Sequence, residues 1–322
     1  MQAIVFPPLN NSPKHELSDI QKKILDAKKR KNAVILAHNY VCREIQEIAD
    51  YVGDSLGLSR QAKKTNADII AFAGVDFMAE TAKILNPSKT VVLPDHNAGC
   101  TLEQLCDPIE LEAFKKQHPD AIVISYINCS AKVKELSDII CTSGNALDIV
   151  KQIPPEQKII FAPDQNLGSW IIEQTGRNML LWNGYCAAHM QYKAEDLKAL
   201  KDAFVGAPLL AHPECPKAVR DVADCVCSTE KMISFCKESN ADKFIVATVV
   251  EMIHRLQKEI PDKTFIAATT SNEPALHCKN MQMNTPEKLL ACLENLEPKI
   301  ELSDETIKKS LAPIEKMLEM SK

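Results

Sequence analysis

The sequence lacks the glycine-rich motifs that mark the commonest nucleotide-binding α/β folds. No G-x-G-x-x-G follows the first apolar run, and no Walker A motif is present. These motifs supply the backbone N–H groups that hold pyrophosphate or triphosphate groups. Both a dinucleotide-binding domain and a P-loop NTPase therefore lose support.

Long apolar runs and an excess of basic charge are also missing. No run approaches the roughly 18–20 apolar residues that a membrane span requires. The N-terminal stretch MQAIVFPPLNNSPKHELSD has no charged region followed by a long apolar segment, as an export signal would. The net charge is −5 and no basic stripe interleaves with aromatic residues, so nucleic acid is not an expected partner. We expect a cytoplasmic protein that contacts no membrane.

Cysteine is abundant, but Cys100 has no partner at a C-x-x-C spacing. The turn PDHNAGC ends at Cys100, and the next cysteine, Cys106, lies six residues further on. Twelve cysteines without an export signal do not indicate a disulfide framework. Most of them are expected to be small buried apolar residues. The question is whether a subset has a special role.

Short β-rich apolar runs alternate with longer amphipathic stretches along the 322 residues. This alternation favours parallel sheets covered by helices on both faces. The runs lie at 33–38, 68–74, 90–95, 121–128, 138–143, 158–164, 179–182, 207–213, 224–229, 243–250 and 264–270.

A longer repeat groups these runs into three units. Three runs end in a residue whose side chain carries a polar ring, histidine or tyrosine. These residues are His38, Tyr126 and His212, which lie 88 and 86 residues apart. About 17 residues after each ring comes a pair that carries a hydroxyl, and each unit closes near a cysteine. The pairs are Asp54-Ser55, Thr142-Ser143 and Ser228-Thr229, and the cysteines are Cys100, Cys186 and Cys278.

The repeat predicts an α/β protein built from three similar three-layer α/β/α units with short parallel sheets. We expect the units to span residues 1–103, 104–188 and 189–278, with 279–322 packing back on the first unit. Ligands of open α/β sheets collect beyond the carboxyl ends of the strands. If the units pack about a pseudo-threefold axis, the rings, hydroxyls and cysteines surround one central site.

Three cysteines without a clear fourth ligand suit a 4Fe–4S cluster with one open iron. Thiolates are the usual ligands of such clusters, and an open iron can act on substrate oxygen as a Lewis acid. A zinc site with three cysteines and an open position remains an alternative. Plain buried thiols are the third possibility.

The neighbouring polar groups suit an anionic substrate. His38, His189 and His212 can donate hydrogen bonds to a carboxylate or phosphate. Hydroxyls at helix starts, including that of Ser228, bind anions together with free N–H groups, although plain N-capping explains any one of them equally well. Glu214 can act as an acid or base close to His212, or it can be a carboxylate in a surface turn.

Several ordered motifs resemble those of the quinolinate synthase family, iron–sulfur enzymes of NAD biosynthesis. The resemblance covers roughly residues 30–295. Its motifs are HNY (38–40), VGDSLGLS (52–59), GVDFMAETAKIL (74–85), PDHNAGC (94–100), YIN-x-SAKVK with SDIICTS (126–143), APDQNLG (162–168), WNGYCAAH (182–189), HPEC (212–215) and ST (228–229).

The resemblance implies an enzyme that condenses iminoaspartate with dihydroxyacetone phosphate to quinolinate, phosphate and water. It implies a 4Fe–4S cluster on Cys100, Cys186 and Cys278, proton transfer by Tyr40 and Glu214, and His38 as a further catalytic candidate. It also implies supply of iminoaspartate by an L-aspartate oxidase and cluster delivery by the iron–sulfur assembly machinery. The substrate-binding candidates are His38, Ser55, Tyr126, Asn128, Ser143, His212, Glu214 and Thr229, together with His189 and Ser228 from the anion-binding analysis.

Two positions depart from the family pattern, and two other functions stay open. Cys129 replaces a common Thr, and Glu230-Lys231 replaces a small Ser-Gly pair beside Thr229. Lys279, Asn280 and Met281 follow Cys278, so a C-x-x-C redox switch at that cysteine is absent. An aconitase-like hydro-lyase and an iron–sulfur sensor or electron carrier are the alternatives.

Overall fold

The computed structural model describes residues 3–9 and 16–321, and in that part three sheets alternate with helices. The strands are β1 (Val5–Phe6), β2 (Ala33–His38), β3 (Tyr51–Gly53), β4 (Ile69–Ala73), β5 (Thr90–Val92), β6 (Ala121–Tyr126), β7 (Ile139–Cys141), β8 (Lys158–Ala162), β9 (Leu180–Leu181), β10 (Leu209–Ala211), β11 (Cys225–Val226), β12 (Lys243–Ala247) and β13 (Thr264–Ala267).

The helices fall between the strands and at the C-terminal end. They are α1 (Asp19–Arg30), α2 (Arg43–Ile48), α3 (Ser55–Lys64), α4 (Asp76–Leu85), α5 (Thr101–Gln104), α6 (Pro108–Gln117), α7 (Ala131–Leu136), α8 (Ala146–Lys151), α9 (Gln165–Thr175), α10 (Ala194–Ala203), α11 (Lys217–Arg220), α12 (Thr229–Glu238), α13 (Met252–Glu259), α14 (Pro286–Asn295) and α15 (Asp304–Met320). His189–Gln191 and Met281–Met283 form short 3₁₀ turns.

The three sheets share one strand order. The first is β3-β2-β4-β5, the second is β7-β6-β8-β9, and the third contains β11-β10-β12-β13. All neighbours in these series are parallel. The order within each unit is therefore second, first, third, fourth, and its recurrence in all three units agrees with the repeat. The predicted α/β class with three similar units is confirmed.

The strand that begins each unit lies inside its sheet and carries the polar ring at its carboxyl end. His38 and Tyr126 are the last residues of β2 and β6, and His212 follows β10 directly. These strands are almost entirely buried, which explains their continuous apolar sequence. A polar ring that ends such a strand emerges at the edge where parallel sheets bind ligands.

The segments near the two ends of the described chain pack on units that are not their neighbours in the sequence. Strand β1 pairs antiparallel with β13, so Val5 and Phe6 extend the third sheet rather than the first. Helix α14 packs on α1, whereas α15 packs on α7 and β7 of the second unit and also on α4. The boundaries at 103, 188 and 278 stay a prediction, and the segment 279–322 contacts both the first and the second unit.

One large apolar core runs through all three sheets, and a smaller one lies beneath the second. The smaller core includes Cys106 and Cys129, both almost fully buried. Within residues 3–9 and 16–321, the structure has no helix of the length and apolar character that a membrane crossing needs.

Candidate active site

A cavity of about 320 Å³ opens where the three sheets present their carboxyl ends. Residues of all three units line it, as expected for a central site. The predicted residues that line it are His38, Tyr40, Ser55, Cys100, Tyr126, Asn128, Ser143, Cys186, His189, His212, Glu214, Thr229 and Cys278. Ser228 is buried beside this cavity and does not line it.

The strand-end histidines of the first and third units have the same local geometry. His38 Nδ1 accepts a hydrogen bond from the backbone N–H of Tyr40 at 3.2 Å, and His212 Nδ1 accepts one from Glu214 N–H at 3.4 Å. Burial lowers the pKa of His38 to about 3 and that of His212 to about 4, despite the nearby carboxylate of Glu214. Both rings are therefore neutral near pH 7, with Nε2–H free to donate.

The Nε2–H group of His212 is directed at the second unit. It lies 3.3 Å from the Ser143 hydroxyl oxygen, which accepts its hydrogen bond. This contact joins a ring of the third unit to a hydroxyl of the second. It leaves the Ser143 proton available to a ligand in the cavity.

Glu214 is a buried carboxylate held by donors from two units. The Tyr126 hydroxyl donates to one of its oxygens at 2.7 Å, and His189 Nδ1 lies 2.8 Å from the other. The Asn128 side chain adds a contact at 3.5 Å. Burial would raise the pKa of this carboxyl, but His212, His189 and Tyr126 outweigh burial and hold the pKa below its usual value. Glu214 is therefore ionised, and not the surface-turn carboxylate that the sequence also allowed.

Thr248 joins this network and was missed by the sequence analysis. Its hydroxyl lies 2.6 Å from the Tyr40 hydroxyl and 2.9 Å from His189 Nε2. Its backbone carbonyl accepts from the buried Tyr192 hydroxyl at 2.8 Å, which fixes the position of the turn. The signal in the sequence is a polar residue directly after the apolar strand KFIVA, but this is the third strand of its unit, whereas the repeated polar rings lie at the ends of the first strands.

Hydrogen bonds connect these side chains in series. The Glu214 carboxylate can only accept, so His189 donates to it through Nδ1–H. The Thr248 hydroxyl lies within hydrogen-bond distance of both His189 Nε2 and the Tyr40 hydroxyl, and either oxygen of the Tyr40–Thr248 pair can be the donor. A continuous chain of hydrogen bonds thus links Tyr40 to Glu214 through two intermediate groups, and both ends of the chain face the cavity.

Cys100, Cys186 and Cys278 are the cysteines among the cavity-lining residues, and the other nine lie elsewhere in the part of the chain that the structure describes. Each lies in a loop and not inside a strand or helix. Burial raises the pKa of each thiol, and backbone N–H groups of the following residues oppose that rise. Such N–H groups stabilise thiolates, so these loops suit metal-bound sulfur.

The donor set fits a group larger than one metal ion. A tetrahedral ion with metal–sulfur bonds of about 2.3 Å brings its sulfurs within about 4 Å of one another. In the described part of the chain, one set of three potential ligands has all its donor atoms within 4.8 Å, and it is Cys186, His189 and Glu214. The three cysteines do not form such a set. Three thiols from separate units, spaced more widely and facing one cavity, fit a polynuclear cluster.

The three hydroxyl pairs meet at one end of the cavity. A Cβ atom placed on Gly144 would lie 3.4 Å from both an Asp54 carboxylate oxygen and the Ser228 hydroxyl, so the three turns lie close together. Asp54 caps α3 by accepting from Gly57 N–H at 2.8 Å, and burial raises its pKa to about 6. Ser55, the residue after this cap, faces the cavity.

The third pair differs from an ordinary cap. Ser228 precedes α12 without a capping hydrogen bond, and its buried hydroxyl has no partner among the described residues. The Thr229 hydroxyl accepts from the Asn39 amide of the first unit at 3.0 Å. Glu230, which departs from the family pattern, also contacts this amide, since its carboxylate oxygen lies 3.4 Å from the Asn39 nitrogen. Plain N-capping therefore explains Asp54 but not Ser228.

The other departure, at Cys129, lies away from the cavity. Its side chain is buried in the smaller core, and its backbone carbonyl accepts from the ammonium group of the fully buried Lys134. This carbonyl contact does not depend on which side chain residue 129 carries.

Comparison with known proteins places this architecture in one family. Residues 22–319 match the family described as Quinolinate synthetase A protein. The chain is 51% identical to a quinolinate synthase of Trichodesmium erythraeum over 94% of both chains. It is 50% identical to that of Chloroherpeton thalassium over 98% of this chain and 97% of the relative. It is also 50% identical to that of a Synechocystis species over the full length of both. The chain therefore belongs to the quinolinate synthase family.

Proposed function

We propose that the protein condenses iminoaspartate with dihydroxyacetone phosphate to give quinolinate, one phosphate and two water molecules. The observation that carries this proposal is the buried chain Tyr40–Thr248–His189–Glu214, which opens on the cavity at both ends. A condensation followed by two dehydrations requires protons to be taken up and returned at several atoms of the substrate. Two connected proton-transfer groups meet that need.

The proposed cofactor is a 4Fe–4S cluster held by Cys100, Cys186 and Cys278. When bound, it would supply an open iron that acts as a Lewis acid toward substrate oxygen. The supporting observation is the set of three loop thiols that face one cavity at a spacing too wide for a single ion.

The hydroxyl end of the cavity suits the phosphate of dihydroxyacetone phosphate. Ser55, Ser143 and Thr229 line it, and α3 and α12 begin there. Helix N-termini and hydroxyls together bind phosphate groups. The neutral His212 donates to Ser143, which fixes the orientation of that hydroxyl. His38 offers a second Nε2–H donor for a substrate carboxylate or carbonyl.

The other end of the cavity suits proton transfer. Glu214 is ionised and accepts protons, and Tyr126 and Asn128 orient its carboxylate. Tyr40 can give a proton to a leaving hydroxyl and recover it through Thr248 and His189. Burial raises the pKa of Tyr40 well above its usual value, so this phenol holds its proton until substrate draws on it.

The test is an anaerobic assay of the purified protein. We expect a brown protein with three to four irons per chain, and quinolinate formed from iminoaspartate and dihydroxyacetone phosphate with one phosphate released. Activity should fall in air and return after anaerobic reconstitution with iron and sulfide. Colourless, metal-free protein with full activity would overturn the cluster. Dehydration of a hydroxy acid without triose phosphate would favour the aconitase-like alternative instead.

Localisation and partners follow from this proposal. The cluster requires the reducing cytoplasm and the iron–sulfur assembly machinery. Iminoaspartate hydrolyses readily because it is an imine, so we propose functional coupling to an L-aspartate oxidase that supplies it.

A further inference from the structure

Two cysteines outside the cavity lie side by side at the edge of the third sheet. The sulfur atoms of Cys225 and Cys227 are 3.5 Å apart, and the Cys225 side chain is partly exposed whereas Cys227 is buried. Neither lines the cavity. Nothing in the proposed reaction uses them.

The local backbone can accommodate a bond between these sulfurs. A disulfide bond is about 2.05 Å long, so the two sulfurs must approach by about 1.5 Å. Strand β11 pairs with β10 along one side, through Cys225 opposite Leu210 and Val226 opposite Ala211. Its other side carries no strand in the described sheet. An edge strand of two residues can therefore bend without breaking a second ladder.

The two thiols differ in reactivity, as a nucleophile and a resolving thiol do. The contact with the Cys227 thiol lowers the pKa of Cys225, and the charge of Lys231 adds to this effect, although burial and the charge of Asp224 oppose it. The same contact and burial raise the pKa of Cys227. Thiolate character and exposure together decide which cysteine reacts first. Cys225 has both.

We propose that Cys225 and Cys227 form a redox-sensitive dithiol that low-molecular-weight disulfides oxidise to an intramolecular disulfide. The Cys225 thiolate attacks a small disulfide such as oxidised glutathione, which forms a mixed disulfide and releases one glutathione thiolate. Cys227 gives its proton to that thiolate and attacks the Cys225 sulfur, which releases the second glutathione. Two protein thiols are oxidised and one small disulfide is reduced to two thiols.

The position of the pair connects it to the cavity. Cys227 lies two residues before Thr229, which the proposed function assigns to phosphate binding. We expect closure of the disulfide to shift the backbone at Cys227 and with it Thr229. If that function holds, oxidation raises the KM for dihydroxyacetone phosphate several-fold, and a dithiol reductant reverses the rise.

Mass spectrometry tests the disulfide without reference to activity. The anaerobic holoprotein is incubated with oxidised glutathione, free thiols are alkylated, and the protein is digested with trypsin. The tryptic peptide 221–231 contains Cys225 and Cys227 and no other cysteine. We expect this peptide to lack both alkyl groups and to be two hydrogens lighter than the reduced form. Recovery of the peptide with two alkyl groups would overturn the proposal.

Single variants test the assigned roles. Cys227→Ser should accumulate a stable glutathione adduct on Cys225, whereas Cys225→Ser should leave Cys227 unmodified and alkylated only after denaturation. Cys236→Ser is the matched control, because Cys236 is the next cysteine along the chain, and it should behave as the parent does. A disulfide that joins Cys225 or Cys227 to Cys236 would contradict the pairing. A reduced protein that makes no quinolinate would end the proposed function but leave the disulfide result intact.

Discussion

The Thr248 hydroxyl lies 2.6 Å from the Tyr40 hydroxyl, although the two residues belong to different units and are 208 positions apart in the sequence. The same threonine oxygen lies 2.9 Å from His189 Nε2. One short side chain therefore joins the proposed acid of the first unit to the buried His189–Glu214 pair. Removing it separates two proton-transfer groups without removing either.

Thr248→Val keeps the shape of the side chain and deletes its hydroxyl. We expect kcat to fall by about 10²-fold, at the lower end of what general acid–base catalysis supplies. The KM values and the cluster absorption should change little, because Thr248 does not line the cavity. Thr248→Ser, which restores the hydroxyl, should recover most of the rate. A valine variant with the parent kcat would show that Tyr40 does not exchange protons through Thr248.

Glu214→Gln tests the other end of the chain. The amide keeps the shape of the carboxylate but cannot accept a proton during turnover. We expect turnover to fall by about 10²–10⁴-fold, with the cluster and the binding of dihydroxyacetone phosphate retained. Glu195→Gln, at an exposed position in the first turn of α10, is the control and should leave the rate unchanged. If Glu214→Gln makes quinolinate at the parent rate, the acid–base role passes to Tyr40 or a histidine.

The sequence predicted the repeat because each unit places polar residues at fixed distances after a buried strand. Tyr126, His212 and the three cysteines follow that spacing, and all of them face the cavity. Parallel pairing could also be predicted, since continuous apolar strands alternate with helices along the chain. The order of strands in each sheet was not predicted, because the repeat spacing does not say which strands are neighbours.

Thr248 and the crossing chain ends could not be predicted in this way. The role of Thr248 arises from contacts between units, which the spacing within one unit does not encode. The pairing of Val5 with Ile266 and the packing of α15 on α7 also depend on how three separate cores fit together. Ser228 shows the same limit, since its sequence is that of an ordinary cap but its hydroxyl makes no capping bond.

Because of His254, we expect the free energy of unfolding to change with pH. This effect does not involve the active site. Burial, helped by the charge of Arg43, lowers the pKa of His254 to about 4, and its Nε2 atom has no partner among the described residues. The unfolded chain, with a histidine pKa near 6.5, binds more protons than the folded one at pH values between about 4 and about 6.5. Acidification through that window therefore favours unfolding.

The expected loss from this histidine is about 1 kcal/mol between pH 7 and pH 5.5. Denaturation of the parent and of His254→Gln at both pH values measures it. The variant should lose less stability on acidification by about that amount. His96→Gln, at an exposed position, should lose as much as the parent does. An identical loss in the parent and in His254→Gln would mean that His254 takes up no proton on unfolding.

The last prediction concerns the cluster ligands. Cys100→Ser, Cys186→Ser and Cys278→Ser should each abolish the visible absorption of the anaerobic protein and its activity, because serine is a poor ligand for iron–sulfur clusters. Cys106→Ser and Cys292→Ser are the controls, since both side chains are buried away from the cavity and should leave the absorption intact. His189→Ala separates the cluster from the alternative set of Cys186, His189 and Glu214. A three-cysteine cluster predicts that His189→Ala keeps the absorption and loses turnover. A single ion on the alternative set predicts that iron is lost from His189→Ala and retained in Cys100→Ser.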